Sequence, residues 1–244
     1  VKHLKSLFFI AFCSVGALHS AKIALCVMAT GKYLAYAERL IASARTHFCK
    51  EHEVFYFVFT DGQIQDTGAD IVRIEQKRLG WPYDTMMRFH AYYGVRELLQ
   101  EMDYIYATDA DMLFVNTVGD EIFSDLVGTL HPGYVGKRGT PETRKISKAF
   151  VPMRKRKRYF CGGFYGGKSQ RVLELLKTAI ENVDDDLSRG IVAVWHDESH
   201  LNCYFTKHKP TLILTPSYCY VYEYNLPYVP RLVALTKNHA ELRT

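Results

Sequence analysis

Tyr104-Ile-Tyr-Ala-Thr-Asp109-Ala-Asp111-Met-Leu-Phe-Val115 decides the fold class. An apolar, β-branched and aromatic run ends in two carboxylates one residue apart, and a second apolar run follows. A strand over 104–107 would be buried on both faces, as inner strands of mostly parallel sheets are. Ligands of such sheets sit beyond the carboxyl ends of the strands, where Asp109 and Asp111 fall. Oxygen donors at i and i+2 suit one hard divalent cation that takes a substrate phosphate as a further ligand. The competing reading is a strand-terminal turn that uses Asp for its tolerance of turns. The triplet alone does not choose between them.

Upstream, 22–29 is a strand ended by Thr30-Gly31. Leu34, Ala37, Leu40, Ile41, Ala44 and Phe48 then recur at helical spacing over 33–48. Strands follow at 53–60, closed by Asp61-Gly62, and at 70–74. This order predicts an α/β chain with a Rossmann-like, mostly parallel sheet flanked by helices. The first strand is not followed by G-x-G-x-x-G and there is no P-loop, so a dinucleotide fingerprint is unsupported. Asp84 is positioned to cap a helix over 85–100. Arg88, in its first turns, faces solvent more readily than a phosphate or the Asp pair when read alone. Beyond the Asp pair, a short helix opens at 118–120. The stretch Leu130-His131-Pro132-Gly133-Tyr134 reads as a tight turn, and 137–148, rich in Gly, Pro and charge, as a mobile loop. Ser169 caps a helix to about 184, and late strands fall at 211–214 and 231–235.

The chain has 244 residues, enough for a substantial core without covalent staples. Its net charge of +5 favours anionic ligands or an anionic membrane surface but is too small to argue for nucleic acid. Six cysteines (13, 26, 49, 161, 203 and 219) show no C-x-x-C spacing, which disfavours zinc ribbons and redox pairs. Cys13, Cys26 and Cys49 read as buried thiols. The run Arg154-Lys-Arg-Lys-Arg158 reads as a solvated loop, or a patch for anionic lipid or glycan, ahead of a nucleic-acid patch.

The chain opens on Val1, as a fragment or a non-AUG start would. Lys2, His3 and Lys5 precede an apolar run over 7–18, and Ser20 and Ala21 follow. That layout predicts a signal peptide or short membrane anchor over 1–20, ahead of one domain over 21–244. The run falls short of the ~20 residues that span a bilayer. A membrane-associated or exported protein is therefore expected, and a cytoplasmic one if the segment instead packs on the domain.

Three later stretches concentrate chemistry. Tyr159-Phe-Cys-Gly162-Gly163-Phe-Tyr-Gly166-Gly167 places paired glycines in a strand pattern, which marks either close approach of a ligand or a bulge. Val194-Trp195-His196-Asp197-Glu198-Ser199-His200 sets carboxylates beside a Trp. His196 and His200 stand at i and i+4, but Asp197, not Glu, follows the first His, against a zinc-protease helix. A hexose face on Trp195 with carboxylates on its hydroxyls fits better. The alternative is a helix N-terminus whose Asp197 and Glu198 oppose the macrodipole. The tail from Lys237 to Arg243 brings cations that either fray or close over a diphosphate.

Taken together these residues resemble family 6 of the glycosyltransferases, the group of the histo-blood-group A and B transferases and the α1,3-galactosyltransferase. The resemblance is carried by Tyr56-Phe-Val-Phe-Thr-Asp61, Asp109-Ala-Asp111-Met, 123–136 with Gly128-Thr-Leu-His-Pro-Gly133, and Gly162-Gly-Phe-Tyr-Gly-Gly167. It continues through Ala193-Val-Trp-His-Asp-Glu-Ser-His-Leu-Asn202, His208-Lys-Pro210 and Lys237-Asn-His239, and so runs from about Lys22 to Arg243. It implies a GT-A fold and a retaining transfer from a UDP-sugar to a galactoside acceptor with Mn²⁺.

In that resemblance Asp109 and Asp111 ligate the metal, with Ala110 between them at the donor. Met28, Ala29, Thr30 and Tyr33 receive uridine. Arg88 and Asp197 contact the donor sugar or the Asp pair, and Lys237 and Arg243 fold over the diphosphate. Glu198 is the nucleophile or the stabiliser of an oxocarbenium ion. His131, Trp195, Glu198 and a loop threonine, Thr140 or Thr143, hold the acceptor. Gly133, Cys161 and Gly163 fall at positions of donor specificity. Gly163 leaves room for an acetamido group, so UDP-N-acetylgalactosamine is expected over UDP-galactose. The stretch 218–228 departs from the mammalian pattern, with Val221 near an acidic acceptor contact. The basic run at 154–158 has no counterpart in the family and hints at a lipid-linked or anionic acceptor, alongside plain or fucosylated galactosides. A short N-terminal segment in place of a long stem suggests a bacterial or viral member. Two other classes remain open at this point: a non-catalytic glycan-binding module on the same fold, and a secreted structural or envelope protein.

Overall fold

The computed structural model describes residues 20–237. The expected signal or anchor and Cys13 lie outside the described residues, as does Arg243. β1 (Lys22–Met28), α1 (Leu34–His47), β2 (Glu53–Thr60) and β3 (Ile71–Glu75) follow the predicted order. Next come α2 (Tyr83–Met86), α3 (Arg88–Gly94), α4 (Arg96–Leu99), β4 (Tyr104–Asp109), β5 (Met112–Phe114) and β6 (Leu126–Leu130). β7 (Phe160–Lys168), α5 (Ser169–Ser188), α6 (His196–Lys207), β8 (Leu212–Leu214) and β9 (Leu232–Ala234) complete the described chain.

Seven strands form one sheet in the order β3-β2-β1-β4-β7-β6-β8, and β5 pairs with β9 in a second. In the large sheet β7 alone runs against its neighbours, antiparallel to both β4 and β6. The others run parallel, so this is the mostly parallel α/β sheet expected of a GT-A type fold. Side chains alternate between two cores. Ile23, Leu25, Val27, Tyr56, Val58 and Tyr106 pack with α1 and β5. Ala24, Cys26, Phe57, Phe59, Ile105 and Ala107 pack with α3, α5 and α6. The period-2 switch of a strand covered on both faces explains why these runs read as continuously apolar. Cys26 and Cys49 are buried free thiols, as read.

Four local expectations need correction. The helix over 85–100 is three short helices, broken at Met87 (φ −87°, ψ 7°) and Val95 (φ −112°, ψ 28°). Gly94-Val95 joins two poor helix formers, and the break at Met87 starts α3 at the buried Arg88. Asp84 does not cap at the predicted place; its Oδ1 accepts from the Leu79 N–H at 2.7 Å, and Pro82 stands at the cap position. Ser169 is the first residue of α5 rather than its cap, and its hydroxyl donates to Met102 O at 2.5 Å. The loop over 137–148 is pinned. Glu142 is buried and accepts from Val194 N at 3.0 Å. Ser147 Oγ donates to Asp186 Oδ2 at 2.5 Å, and Lys148 N donates to Oδ1 at 2.8 Å. Charge in that segment reads as solvation in the sequence, yet Glu142 and the distant Asp186 convert it into anchorage.

Candidate active site

β1 and β4 are parallel neighbours with Met28 in register with Asp109, so their carboxyl ends open together. The strands flanking them lead to opposite halves of the sheet, and this is where a ligand cleft forms in open α/β sheets. Met28, Thr30, Tyr33, Arg88, Asp109, Ala110, Asp111 and Lys237 line a cavity of ≈ 110 Å³ there. Ala29 lies beneath it in the core, its N–H donating to Phe59 O at 2.8 Å. The β5–β9 pairing continues to Leu235, whose N–H donates to Asp111 O at 2.8 Å. That bond brings Lys237 back to the Asp pair: its Nζ contacts Asp111 Oδ2 and sits 5.4 Å from the Tyr33 ring centroid.

Arg88, expected to face solvent when read alone, is buried in this cleft. Its Nη1 donates to Asp109 Oδ1 at 2.8 Å, and its Nε lies 3.2 Å from Asp197 Oδ2. The Asp109 carboxyl resists ionisation through burial but is held below its usual range by Arg88 and Lys237. Asp111 is pushed up by burial and by the charge on Asp109. Asp197, buried in the first turn of α6, is pushed up to about 6 by burial despite Arg88.

The glycine pair joins the two carboxylate groups. A Cβ on Gly162 would stand 3.5 Å from Asp197 Oδ2 and 3.7 Å from Glu198 Oε2. One on Gly163 would stand 3.3 Å from Cys219 Sγ and 3.5 Å from Asp109 Oδ2. The β6–β7 register shifts opposite these two glycines, from Gly128 paired with Tyr165 to Leu130 paired with Phe160, so the bulge reading holds here. Close backbone approach belongs to Gly166 and Gly167, where a Cβ would meet Ile105 O and Asp125 O. Glu198 Oε1 accepts from the Tyr159 hydroxyl at 2.6 Å, and Oε2 accepts from the Gly162 N–H at 2.8 Å. Burial pushes this carboxyl up to about 7, against both hydrogen bonds.

On the side of Tyr159 away from the Asp pair stands an aromatic group. His131 lies 5.6 Å from the Tyr159 ring and 4.8 Å from Tyr134, whose hydroxyl is 3.5 Å from Thr140 Oγ1. His131 Nδ1 accepts from the Gly133 N–H at 3.1 Å, and burial lowers its pKa to about 4, so the ring is neutral with its proton on Nε2. Gly133 lies beside this ring, 3.5 Å from ideal Cβ to His131 Cε1, apart from Cys161 and Gly163. Thr140 and Thr143 line a neighbouring cleft with Val194 and His196. Trp195 is half exposed at the start of α6. His200 is buried 3.8 Å from Asp186, and His196 packs on Trp81 with ring centroids 5.0 Å apart.

Sequence reasoning missed four contributors. Arg78 and Trp81 line the cavity at the Asp pair from a loop with no periodicity to flag them. Tyr159 was quoted only as the start of the glycine stretch. Cys219 comes from a segment read as departing from pattern. Tyr159, just before β7, and Gly162, within it, meet at Glu198 through a hydroxyl and a backbone N–H, a convergence that their spacing does not announce.

The fold and these carboxylates are those of a sugar-transferring α/β enzyme, and comparison with known proteins agrees. The profile of Glycosyltransferase family 6 matches residues 16–244. Histo-blood group ABO system transferase 1 of Rattus norvegicus is 36% identical over 244 residues, covering 93% of this chain and 70% of its own. Globoside alpha-1,3-N-acetylgalactosaminyltransferase 1 of Gallus gallus is 33% identical, covering 91% and 69%. The Escherichia coli O-antigen biosynthesis glycosyltransferase WbnI is 29% identical, covering 75% and 82%. The chain belongs to glycosyltransferase family 6. It is a hexosyltransferase that takes a nucleotide-sugar donor and a glycan acceptor. Among the described residues no helix is long and apolar enough to cross a membrane.

Proposed function

We propose that this enzyme transfers N-acetylgalactosamine from UDP-N-acetylgalactosamine, with retention and in α1,3 linkage, to a galactoside. The observation that carries the reading is the Gly162–Gly163 backbone, against which Asp109 stands on one side and Glu198 on the other. A sugar lying along a glycine edge has its diphosphate at one carboxylate group and its anomeric carbon at the other. The name of the chicken relative, an alpha-1,3-N-acetylgalactosaminyltransferase, supports the linkage and the donor class.

Asp109 and Asp111 fit a Mn²⁺ or Mg²⁺ ion. They are two hard oxygen donors one residue apart, and both already attract cations in Arg88 and Lys237. A divalent ion held there supplies positive charge for the departing diphosphate. Lys237 adds a second cation on the same side. Arg88 orients Asp109 and Asp197 together, fixing the donor floor. Glu198, held by Tyr159 and Gly162, faces developing positive charge at the anomeric carbon and either stabilises it or bonds to it. The neutral His131, between Tyr134 and Tyr159, offers its Nε2 proton to an acceptor hydroxyl.

The test is UDP release from UDP-N-acetylgalactosamine and UDP-galactose, each with Mn²⁺ and with EDTA, in the presence of plain and fucosylated galactosides. Release that needs Mn²⁺ and favours the N-acetylgalactosamine donor is expected. Release undiminished by EDTA overturns the metal assignment, and preference for UDP-galactose overturns the donor assignment.

A further inference from the structure

The enzyme carries its whole net charge in one place. The chain has 31 Lys and Arg against 26 Asp and Glu, and removing the five cations of 154–158 leaves 26 against 26. Arg154, Lys155, Lys157, Arg158 and Lys209 rim a groove of ≈ 790 Å³ floored by Phe160, Phe205, Pro210 and Ile213. A second groove shares Lys155 and Thr206 with the first and adds Lys145, Lys148 and Lys207, so the cations form one continuous face. The segments that build it, 143–173 and 199–222, contain no Asp or Glu. Lys148 reaches out to Asp185 at 3.6 Å, whereas among the described residues Arg154, Lys155, Lys157 and Arg158 take part in no ion pair. Arg156 is the exception in the run: its Nε donates to Val151 O at 2.9 Å and braces the loop.

Two large apolar side chains next to these cations in sequence are exposed, Ile146 at 62% and Met153 at 59%. Unpaired cations around projecting apolar side chains suit a bilayer interface, where the cations meet lipid phosphates and the apolar groups enter the acyl boundary. The face also adjoins the acceptor side. Arg156 lines the cleft of Thr140 and Thr143, and Arg158 directly precedes Tyr159, the partner of Glu198.

We propose that this basic face docks the enzyme on an anionic phospholipid surface and so holds its acceptor-side cleft at the membrane. The docking rests on charge and exposure, and the orientation of the acceptor-side cleft rests on the function proposed above. The docking stands whichever sugar is transferred and whatever the N-terminal segment does. A site for one small anion would instead gather its cations around a closed pocket. Here they line open grooves, and the exposed apolar pair would have no role.

The experiment is co-sedimentation of the full chain with phosphatidylcholine vesicles, with and without phosphatidylglycerol. Wild type is compared with the fourfold variant Arg154→Gln, Lys155→Gln, Lys157→Gln, Arg158→Gln. Both proteins share the same N-terminus, so any binding it provides appears equally in both. The variant should partition onto phosphatidylglycerol vesicles at least ~10-fold less than wild type. The two should partition alike onto pure phosphatidylcholine, and both should release UDP at the same rate from soluble substrates. Wild-type binding should fall steeply with added NaCl, and Ile146→Ser with Met153→Ser should weaken it without altering that salt dependence. Equal partition of wild type and variant onto anionic vesicles, or wild-type binding indifferent to salt, overturns the proposal. So does a variant that loses affinity for inorganic pyrophosphate while its vesicle binding is unchanged, which would identify a soluble-anion site.

Discussion

Arg88 ties Asp109 to Asp197 across the floor of the cleft, with Nη1 2.8 Å from one carboxylate and Nε 3.2 Å from the other. One planar guanidinium serves both, and a lysine, with a single point charge, cannot. Arg88→Lys should therefore fold and lose most of its turnover, because Asp109 and Asp197 no longer share a fixed geometry. Arg88→Ala leaves two buried carboxylates without their cation and should destabilise the fold by about 3–5 kcal/mol. Urea denaturation of both variants beside UDP-release rates separates the two effects. A lysine variant as active as wild type would show that the bridge only supports structure.

Lys237 and Asp111 form the second charge pair of the cleft, reached through the backbone bond from Leu235 to Asp111. Asp111→Asn keeps the shape and removes the charge. It should abolish metal-dependent turnover and weaken Mn²⁺ binding, read directly by the loss of free Mn²⁺ signal in electron paramagnetic resonance, while leaving the thermal melt close to wild type. Undiminished Mn²⁺ binding in this variant removes Asp111 from the metal site.

Much of this architecture was legible before any coordinates. The sheet followed from 22–29, 53–60 and 104–107, because strands covered on both faces are apolar at every position. The Asp pair followed from its place at a strand end. Arg88 was not legible from its own neighbourhood, since one cation on a helical pattern says nothing of which face it occupies. Only the family resemblance pointed it inward. The helix boundary at Met87 is hidden for the same reason, since it places Arg88 in its buried ion pairs, whereas the break at Val95 was available in the poor helix formers Gly94-Val95. Loop anchorage by Glu142 and Asp186 depends on bonds to residues 52, 39 and 38 positions away, a relation that periodicity does not carry.

The Glu198 carboxyl, pushed up to about 7 by burial, is only partly ionised near neutrality. Its anionic form is the one that faces developing positive charge, so kcat/KM should rise with pH through about 7 and then level. The Tyr159 hydrogen bond favours the anion. Removing it in Tyr159→Phe raises the Glu198 pKa, and the rising limb should move upward by about one pH unit. Glu198→Gln should retain donor binding and lose transfer. A pH profile that stays in place in Tyr159→Phe would assign the limb to another group, Asp197 being the next carboxyl in the cleft.

In the proposed donor placement, Gly163 sets the volume beside the sugar. A Cβ there would meet Cys219 Sγ at 3.3 Å, tighter than ordinary packing, with Asp109 Oδ2 at 3.5 Å and Met112 Sδ at 3.7 Å beyond it. Cys219 is itself held by its contact with Cys161, so the wall has little freedom to retreat. Gly163→Ala adds one methyl and should narrow the preference for the bulkier donor. Gly163→Leu fills the space an acetamido group needs and should lower kcat/KM for UDP-N-acetylgalactosamine relative to UDP-galactose by at least the roughly 10–200-fold that a single methylene commands. Pairing Gly163→Leu with Cys219→Ala opens the opposite wall and should restore part of the loss. The ratio of the two donors, measured for the single and double variants, decides the matter. An unchanged ratio in Gly163→Leu would mean that the acetamido group lies elsewhere, and the glycine would then be required only by the close pairing of its strand with the carboxylates.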